Sequence, residues 1–387
     1  MVESGLPIAL GLLQDEFEFS GEFQVFRGWQ EKLQRSGYRL IVFGPKGHLL
    51  RASGYRLHSQ GEFPLKKWIE QWAFILEAVA CAKEASIVHL FLPTPSFLWI
   101  GDWVKRASQR PVVITCLAEK ADLSGFEWRR HVRQAPRFHI IRRIAADVFS
   151  EGRFRADRYC VGSQSLTRQL TQAGCPADRL VKMHATLPME PEPDDRSREA
   201  ATWMGVSPTF LYIGHFLPTK GIEPLLEALA LMPAQVRLLL AWSGLGDRPA
   251  VETQIQKLGL AGRVRIADHP IHRTLIFAQA LGLVAPFPVS YGQVSPPVVV
   301  LEALRAGVPL VVPPLASLDG LLDDQRTALF IDPYDPLSIA KAMQQLLAQP
   351  DFVRLMRDAQ RAKFSKLEKL SDPELLYQPL RWQISHG

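Results

Sequence analysis

Residues 210–229 read FLYIGHFLPTKGIEPLLEAL. Phe210–Ile213 form an apolar strand that breaks at Gly214. A short loop carries Lys220 and Gly221, and from Ile222 onward apolar residues recur at helical spacing. A strand–glycine–loop–Lys–Gly–helix unit gathers a cation and free backbone N–H groups at the carboxyl edge of a sheet. Open α/β folds bind phosphorylated ligands at that edge. The stretch therefore predicts a nucleotide-type ligand as well as a fold. Lys220 would neutralise a diphosphate, helped by the amides of the helix beginning at Ile222. Read alone, it is equally a solvated loop lysine ahead of a helix.

Outward from this unit, short apolar runs alternate with helical patterns in both halves of the chain. Strands are expected at 8–13, 39–43, 87–92, 112–115 and 158–161, then at 210–213, 236–241, 264–267, 281–285, 308–312 and 328–331. Helices fit near 22–35, 68–83 and 98–107, then near 222–231, 251–258, 275–280, 298–305 and 336–348. Near-continuous apolar strands in βα alternation predict parallel sheets covered on both faces. The polar run 188–197 (PMEPEPDDRS) lacks periodicity and reads as a linker. The expected architecture is α/β, with two Rossmann-like domains, 1–190 and 200–365, facing each other over a cleft. A final segment, 366–387, is expected to pack back across the boundary.

Composition bounds the function. A chain of 387 residues, 47% hydrophobic and 22% charged, suits two globular cores. A net charge of +6 fits an anionic partner, though weakly. Cys81, Cys116, Cys160 and Cys175 are scattered without ligand spacing, so a disulfide framework or zinc site is not expected and a reducing cytosol is the default. The run Leu6–Leu13 reads as a buried strand rather than a signal peptide, because Glu3 stands where a basic residue would. Pro93, Pro95, Pro286 and Pro288 interrupt the apolar stretches, so no membrane span is expected.

A second informative segment is 291–312, YGQVSPPVVVLEALRAGVPLVV. Pro296 and Pro297 would open a helix containing Val298, Leu301 and Leu304 on an apolar face. The amides at its start form a second anion site, and Glu302, one turn deeper, can accept hydrogen bonds from ribose hydroxyls. By itself Glu302 reads as a half-buried helix residue paired with an arginine such as Arg305. Together the two segments, with Ser243-Gly244-Leu245-Gly246, VRIADHP at 264–270 and DPYDPLSIAKAMQQLL at 332–347, resemble the retaining glycosyltransferases of the glycogen-synthase-like group (family 4, GT-B fold). In the first half ASIVHLFLP (85–93), PVVIT (111–115) and ADRYCVGSQSLTRQL (156–170) resemble the family more loosely.

The resemblance implies a donor site of Gly214, His215, Lys220, Gly221, Gly244, Ser295, Pro297, Val298 and Glu302, with Ser20, Gly21 and His89 on the acceptor side. It implies sugar transfer from a nucleotide-diphosphate sugar, with retention of configuration, to a glycan or lipid-linked acceptor. No cofactor, metal or dedicated protein nucleophile is implied; positioning and charge stabilisation carry the chemistry. Three positions depart from the family pattern. Eight residues before Glu302, where the family has a second glutamate, stands Val294. An arginine is usual where His215 lies, and the first glycine-rich turn is reduced to Ser20-Gly21-Glu22. Protonated, His215 could still bind phosphate. These departures keep open a GT-B protein with impaired catalysis that binds a nucleotide, glycan or protein partner; a sugar-nucleotide epimerase fits less well.

Other histidines read mainly as structural. His89 and His184 are expected to be satisfied residues, and His269 and His272, flanking Pro270, are not expected to bind metal. The stretch 126–147 carries six arginines among Trp128, Phe138 and paired isoleucines. It reads either as a solvated face or as peripheral contact with anionic lipid at the cytoplasmic side of a membrane. Nucleic acid is not expected as a partner.

Overall fold

The computed structural model describes residues 6–13, 20–44, 64–120, 154–184, 186–268, 271–290 and 293–386, without the side chains of 64–70 and 381–386. The arginine-rich stretch 126–147 and residues His269, Pro270, Tyr291 and Gly292 lie outside them.

The first lobe contains β1 (Pro7–Leu12), α1 (Gly21–Arg35), β2 (Arg39–Phe43), α2 (Pro64–Cys81), β3 (Ile87–Leu92), α3 (Leu98–Ser108), β4 (Val112–Cys116), β5 (Arg158–Val161), α4 (Gln164–Gln172) and β6 (Leu180–Lys182). Its six strands are parallel, in the order β2-β1-β3-β4-β5-β6. Alternate residues of β1 feed opposite faces. Ile8, Leu10 and Leu12 pack with Phe26, Trp29 and Leu33 of α1. Ala9 joins Phe74, Ala78 and Val104 of α2 and α3 on the other face.

The second lobe follows with α5 (Asp195–Gly205), β7 (Thr209–Phe216), α6 (Ile222–Ala230), β8 (Arg237–Gly246), α7 (Arg248–Lys257), β9 (Val264–Ala267), α8 (Arg273–Gln279), β10 (Gly282–Val284), α9 (Val298–Ala306), β11 (Leu310–Val312), β12 (Leu329–Phe330) and α10 (Pro336–Ala348). Its parallel order is β12-β11-β10-β7-β8-β9. The α/β class and two-sheet architecture are as expected. In each sheet the strand order reverses beside the first strand, between β1 and β3 and between β7 and β10. Crevices for ligands open at such reversals, outside the carboxyl ends.

Differences from the sequence reading are local. Asp195–Ser197, read as linker, begin α5, because the Asp194 side chain accepts from the Ser197 amide and caps the helix. Strand β6 is three half-exposed edge residues, too short to show a period. Two further helices, α11 (Pro350–Lys369) and α12 (Pro373–His386), close the chain. Leu376, Tyr377 and Leu380 of α12 are buried in the α1 face of the first lobe. Tyr38 Oη donates to Glu374 at 2.7 Å, and Lys32 Nζ donates to Ser371 O at 2.6 Å. The four cysteines are free.

Candidate functional site

The unit that opened the sequence reading lies at the reversal in the second sheet. β7 runs through Gly214 and His215, and Tyr212 Oη donates to His215 O at 2.7 Å. A tight turn, Pro218–Lys220, then leads to Gly221 and α6. Gly221 has φ 67°, and a Cβ there would lie 2.1 Å from Pro286 O on the neighbouring β10 loop, so only glycine fits. This close approach seats Lys220 among residues of that loop.

Lys220 is 8% exposed rather than solvated. Its Nζ donates to Gln293 Oε1 at 2.9 Å and lies 4.6 Å from the centre of the Phe287 ring. An ammonium has three donors, and the other two meet no acceptor among the described residues. Burial pulls its pKa down to about 8, partly offset by Glu22 at the start of α1. A buried, incompletely satisfied cation is well placed to accept an anion that would raise that value again.

His215 Nδ1 stands 2.6 Å from Ser243 Oγ, the proton between them being set by the tautomer. Burial, then the Lys220 charge, lowers its pKa to about 4. Without a bound anion the imidazole is thus neutral at pH 7 and serves as a hydrogen-bonding group; protonation for a phosphate contact needs the charge of the anion itself. Ser243 and Gly244 form the irregular end of β8 rather than a turn after it. Gly244 has φ 87°, and the β7–β8 register shifts between Gly214 and Phe216.

The β10 loop runs on to the first lobe. Val294 bridges Ala118, and the Ser295 amide donates to Leu117 O at 2.8 Å. Ser295 Oγ donates to Glu119 Oε1 at 2.6 Å and stands 2.7 Å from Ser163 Oγ, which is 3.3 Å from the same carboxylate oxygen. One proton per hydroxyl lets the two serines satisfy each other and the carboxylate. A Cβ on Gly162 would lie 2.4 Å from Ser295 O, so the approach of the lobes requires glycine there too. Val294 is buried in the first lobe's core with Val298. Where the family resemblance places a carboxylate, this chain has an apolar contact between lobes.

Pro297 is the N-cap of α9, with φ −56° and ψ 133°, and Pro296 precedes it. The prolines therefore set the entry to the helix rather than occupying its first turn. Glu302 is buried one turn inside. Its Oε2 accepts from Arg273 Nε at 3.3 Å, so its hydrogen-bonding partner is Arg273 of α8 rather than Arg305. Burial raises its carboxyl pKa, opposed first by Arg273 and then by Arg305. Arg273 is held in turn by Glu190 of the irregular connection between the lobes, which accepts from its amide at 2.5 Å.

On the facing lobe, Ser20 Oγ accepts from the Phe23 amide at 3.1 Å and caps α1. Gly21 faces the second lobe, since a Cβ there would lie 3.1 Å from Val294 Cγ2 and 3.4 Å from Val298 Cγ2. Gly21, next to the cap residue Ser20, thus meets the second lobe beside the start of α9. His89 does not, and its assignment to the acceptor side is corrected. It is fully buried in β3, with Nδ1 2.6 Å from Tyr377 Oη, Nε2 2.7 Å from Thr115 Oγ1 and its ring stacked on Phe91. Both nitrogens are spent joining α12 to the sheet. His272 caps α8, accepting from the Leu275 amide at 3.2 Å, and no group of metal-ligating side chains occurs among the described residues.

Sequence reasoning missed Glu119, Ser163 and Arg273, and read Ser243 only as part of a small-residue turn. Glu119 alone had a readable signal, a carboxylate three residues past an apolar strand and therefore at the sheet's carboxyl edge. The others are brought in by tertiary approach.

Residues 207–349 match the family model described as Glycosyl transferases group 1. Among curated proteins, α-D-kanosaminyltransferase of Streptomyces kanamyceticus is 28% identical over 154 residues, 39% of either chain. D-inositol 3-phosphate glycosyltransferase of Corynebacterium diphtheriae is 31% identical over 147 residues, 35% of this chain and 33% of that protein. The chain thus matches between about a third and two fifths of the length of these relatives. Sucrose-phosphate synthase from Thermosynechococcus elongatus superposes with TM-score 0.70 at 19% identity, over 98% of this chain and 100% of that one. The Anabaena protein HepE in complex with UDP-glucose superposes with TM-score 0.64 at 16% identity, over the same shares. The fold of the whole chain is GT-B, and its second lobe, over residues 207–349, is a match to the group 1 glycosyl transferases.

Proposed function

We propose that the protein is a glycosyltransferase that moves a sugar from a nucleotide-diphosphate-sugar donor, with retention of configuration, to a glycan or lipid-linked acceptor at the cytoplasmic face of a membrane. The observation that carries this reading is Lys220, a buried cation at the sheet reversal with donors to spare, in a lobe matching group 1 glycosyl transferases. Lys220, with His215 as a neutral hydrogen-bonding partner, holds the diphosphate; Glu302 takes the ribose hydroxyls in place of its contact with Arg273. As the glycosidic bond to the diphosphate breaks, negative charge grows on the leaving oxygens. A fixed ammonium in a water-poor site stabilises that charge more than solvent would. The acceptor hydroxyl then attacks from the face the diphosphate leaves, passing its proton to the departing phosphate. The protein's own task is positioning and charge stabilisation.

The first lobe supplies the other wall through Ser20, Gly21 and the Glu119–Ser163–Ser295 contact. Because the relatives are named as transferases, the catalytic reading is favoured over a binding module with impaired catalysis. Val294 accordingly marks a changed sugar contact, with Gln293 and Ser295 as the nearby hydrogen-bonding groups. No helix among the described residues is long and apolar enough to cross a membrane. A peripheral contact through residues 126–147 remains part of the proposal. Incubation with a panel of UDP-, GDP- and ADP-sugars and glycan acceptors tests it, read as nucleoside-diphosphate release and as the product's anomeric configuration by NMR. Acceptor-dependent release with retained configuration is expected; free epimerised donor without acceptor, or inversion, would contradict it.

A further inference from the structure

A second recess lies away from the donor edge, where α1 and α9 pack together. Their starts, Gly21 and Val298, meet at the cleft, whereas Gly28, Lys32 and Arg35 of α1 and Arg305 of α9 lie toward the other ends of these helices. At about 1.5 Å per residue, Lys32 is roughly 16 Å along α1 from Gly21. The recess between these ends is about 170 Å³. It is closed by the connection between the lobes at His184, Thr186 and Leu187 and by Phe364, Leu367 and Glu368 of α11.

Two features of its wall are unexplained by the fold. His184 is only 6% exposed, yet among the described residues its Nδ1 has no hydrogen-bond partner, and neither has the buried Oγ1 of Thr186. Buried polar groups are almost always satisfied, and an orphan is costly. The wall also carries three cations, Lys32, Arg35 and Arg305, against one carboxylate, Glu368. Lys32 spends one donor on Ser371 O, Arg35 is paired with Glu31 of its own helix, and Arg305 makes no hydrogen bond among the described residues. Burial, then Lys182, lowers the His184 pKa to about 4, so its imidazole is neutral and presents one N–H and one lone pair. The wall therefore offers excess positive charge together with unmet neutral hydrogen-bonding groups.

We propose that this recess is a second ligand site, which takes a small phosphate- or carboxylate-bearing anion with hydroxyl groups. The acid group sits on Lys32 and Arg305, and hydroxyls satisfy His184 and Thr186. At about 30 Å³ of liquid volume per water, the recess holds about six waters, the scale of a small phosphorylated polyol rather than of a nucleotide sugar. The ligand would touch the first lobe, the connecting segment and the second lobe at once, so it binds one relative placement of the lobes.

Titration calorimetry of the full chain with glycerol 3-phosphate, and separately with inorganic phosphate, at matched ionic strength tests the site. Saturable binding is expected for wild type and for Lys220→Met, with glycerol 3-phosphate the tighter. Lys32→Gln and Arg305→Gln should each weaken it at least fivefold, and Thr186→Val should remove the preference for glycerol 3-phosphate. Arg35→Ala, at an exposed position, supplies a variant whose folding is not in question and should weaken binding about twofold. Binding lost in Lys220→Met but unchanged in Lys32→Gln would assign the anion to the donor edge and overturn the proposal. So would the absence of saturable binding in a folded wild-type protein.

Discussion

Replacing Lys220 with methionine separates what this side chain costs the fold from what it does for a ligand. Methionine keeps most of the apolar stem against Phe287 and removes the buried charge. Lowering an amine from 10.5 to about 8 costs the charged form about 3 kcal/mol at pH 7, at 1.36 kcal/mol per pH unit. The variant also loses the bond to Gln293 Oε1, worth about 1 kcal/mol, leaving a net gain of about 2 kcal/mol. The sign follows from linkage. The folded-state pKa lies below the unfolded one, so between pH 8 and 10.5 the native state binds fewer protons and wild-type stability rises with pH. The cost falls from about 3 to about 2 kcal/mol between pH 7 and pH 9, and the variant's advantage should shrink from about 2 to about 1 kcal/mol. Urea denaturation of both proteins at the two pH values, followed by tryptophan fluorescence, measures this. A variant less stable than wild type at pH 7, or an advantage that grows with pH, would refute the reasoning.

Further outcomes follow from the same geometry. Glu302→Gln keeps the packing but takes the charge from Arg273 and the better acceptor from the ribose; nucleotide affinity by calorimetry should fall about tenfold, equally for uridine, guanosine and adenosine nucleotides, which is about 1.4 kcal/mol. Val294→Glu, which would rebuild the family's paired carboxylates, should instead destabilise the protein by at least about 2 kcal/mol in denaturant titration, because position 294 is buried in the first lobe's core. Tyr377→Phe leaves His89 Nδ1 without its partner in a buried site; a loss of about 1–3 kcal/mol and a lowered thermal midpoint are expected, with nucleotide affinity unchanged.

The parts legible in the sequence were those with long, regular signals. Continuous apolar strands such as Ile87–Leu92 match their observed bounds because each residue is buried on one face or the other. Lys220 and Gly221 were legible because a glycine-supported bend after a strand has few structural uses. Ionisation states were not. His215 and His89 look alike as letters, yet one lies beside Lys220 at the carboxyl edge of the second sheet and the other is sealed between Tyr377 and Thr115. The partner of Glu302 was misjudged because helical spacing favours Arg305, whereas Arg273 arrives from another helix under the control of Glu190. The core contact of Val294 depends on the approach of the two lobes, and no local pattern encodes that approach.

The central claim is that Lys220 and Glu302 serve one nucleotide diphosphate at the edge of the second sheet. Titration calorimetry of the folded full chain with UDP, GDP and ADP tests it most directly. One of them should bind with one site per chain, lose at least tenfold in Lys220→Met and weaken in Glu302→Gln. Failure of all three to bind, or binding that Lys220→Met leaves intact, would contradict it.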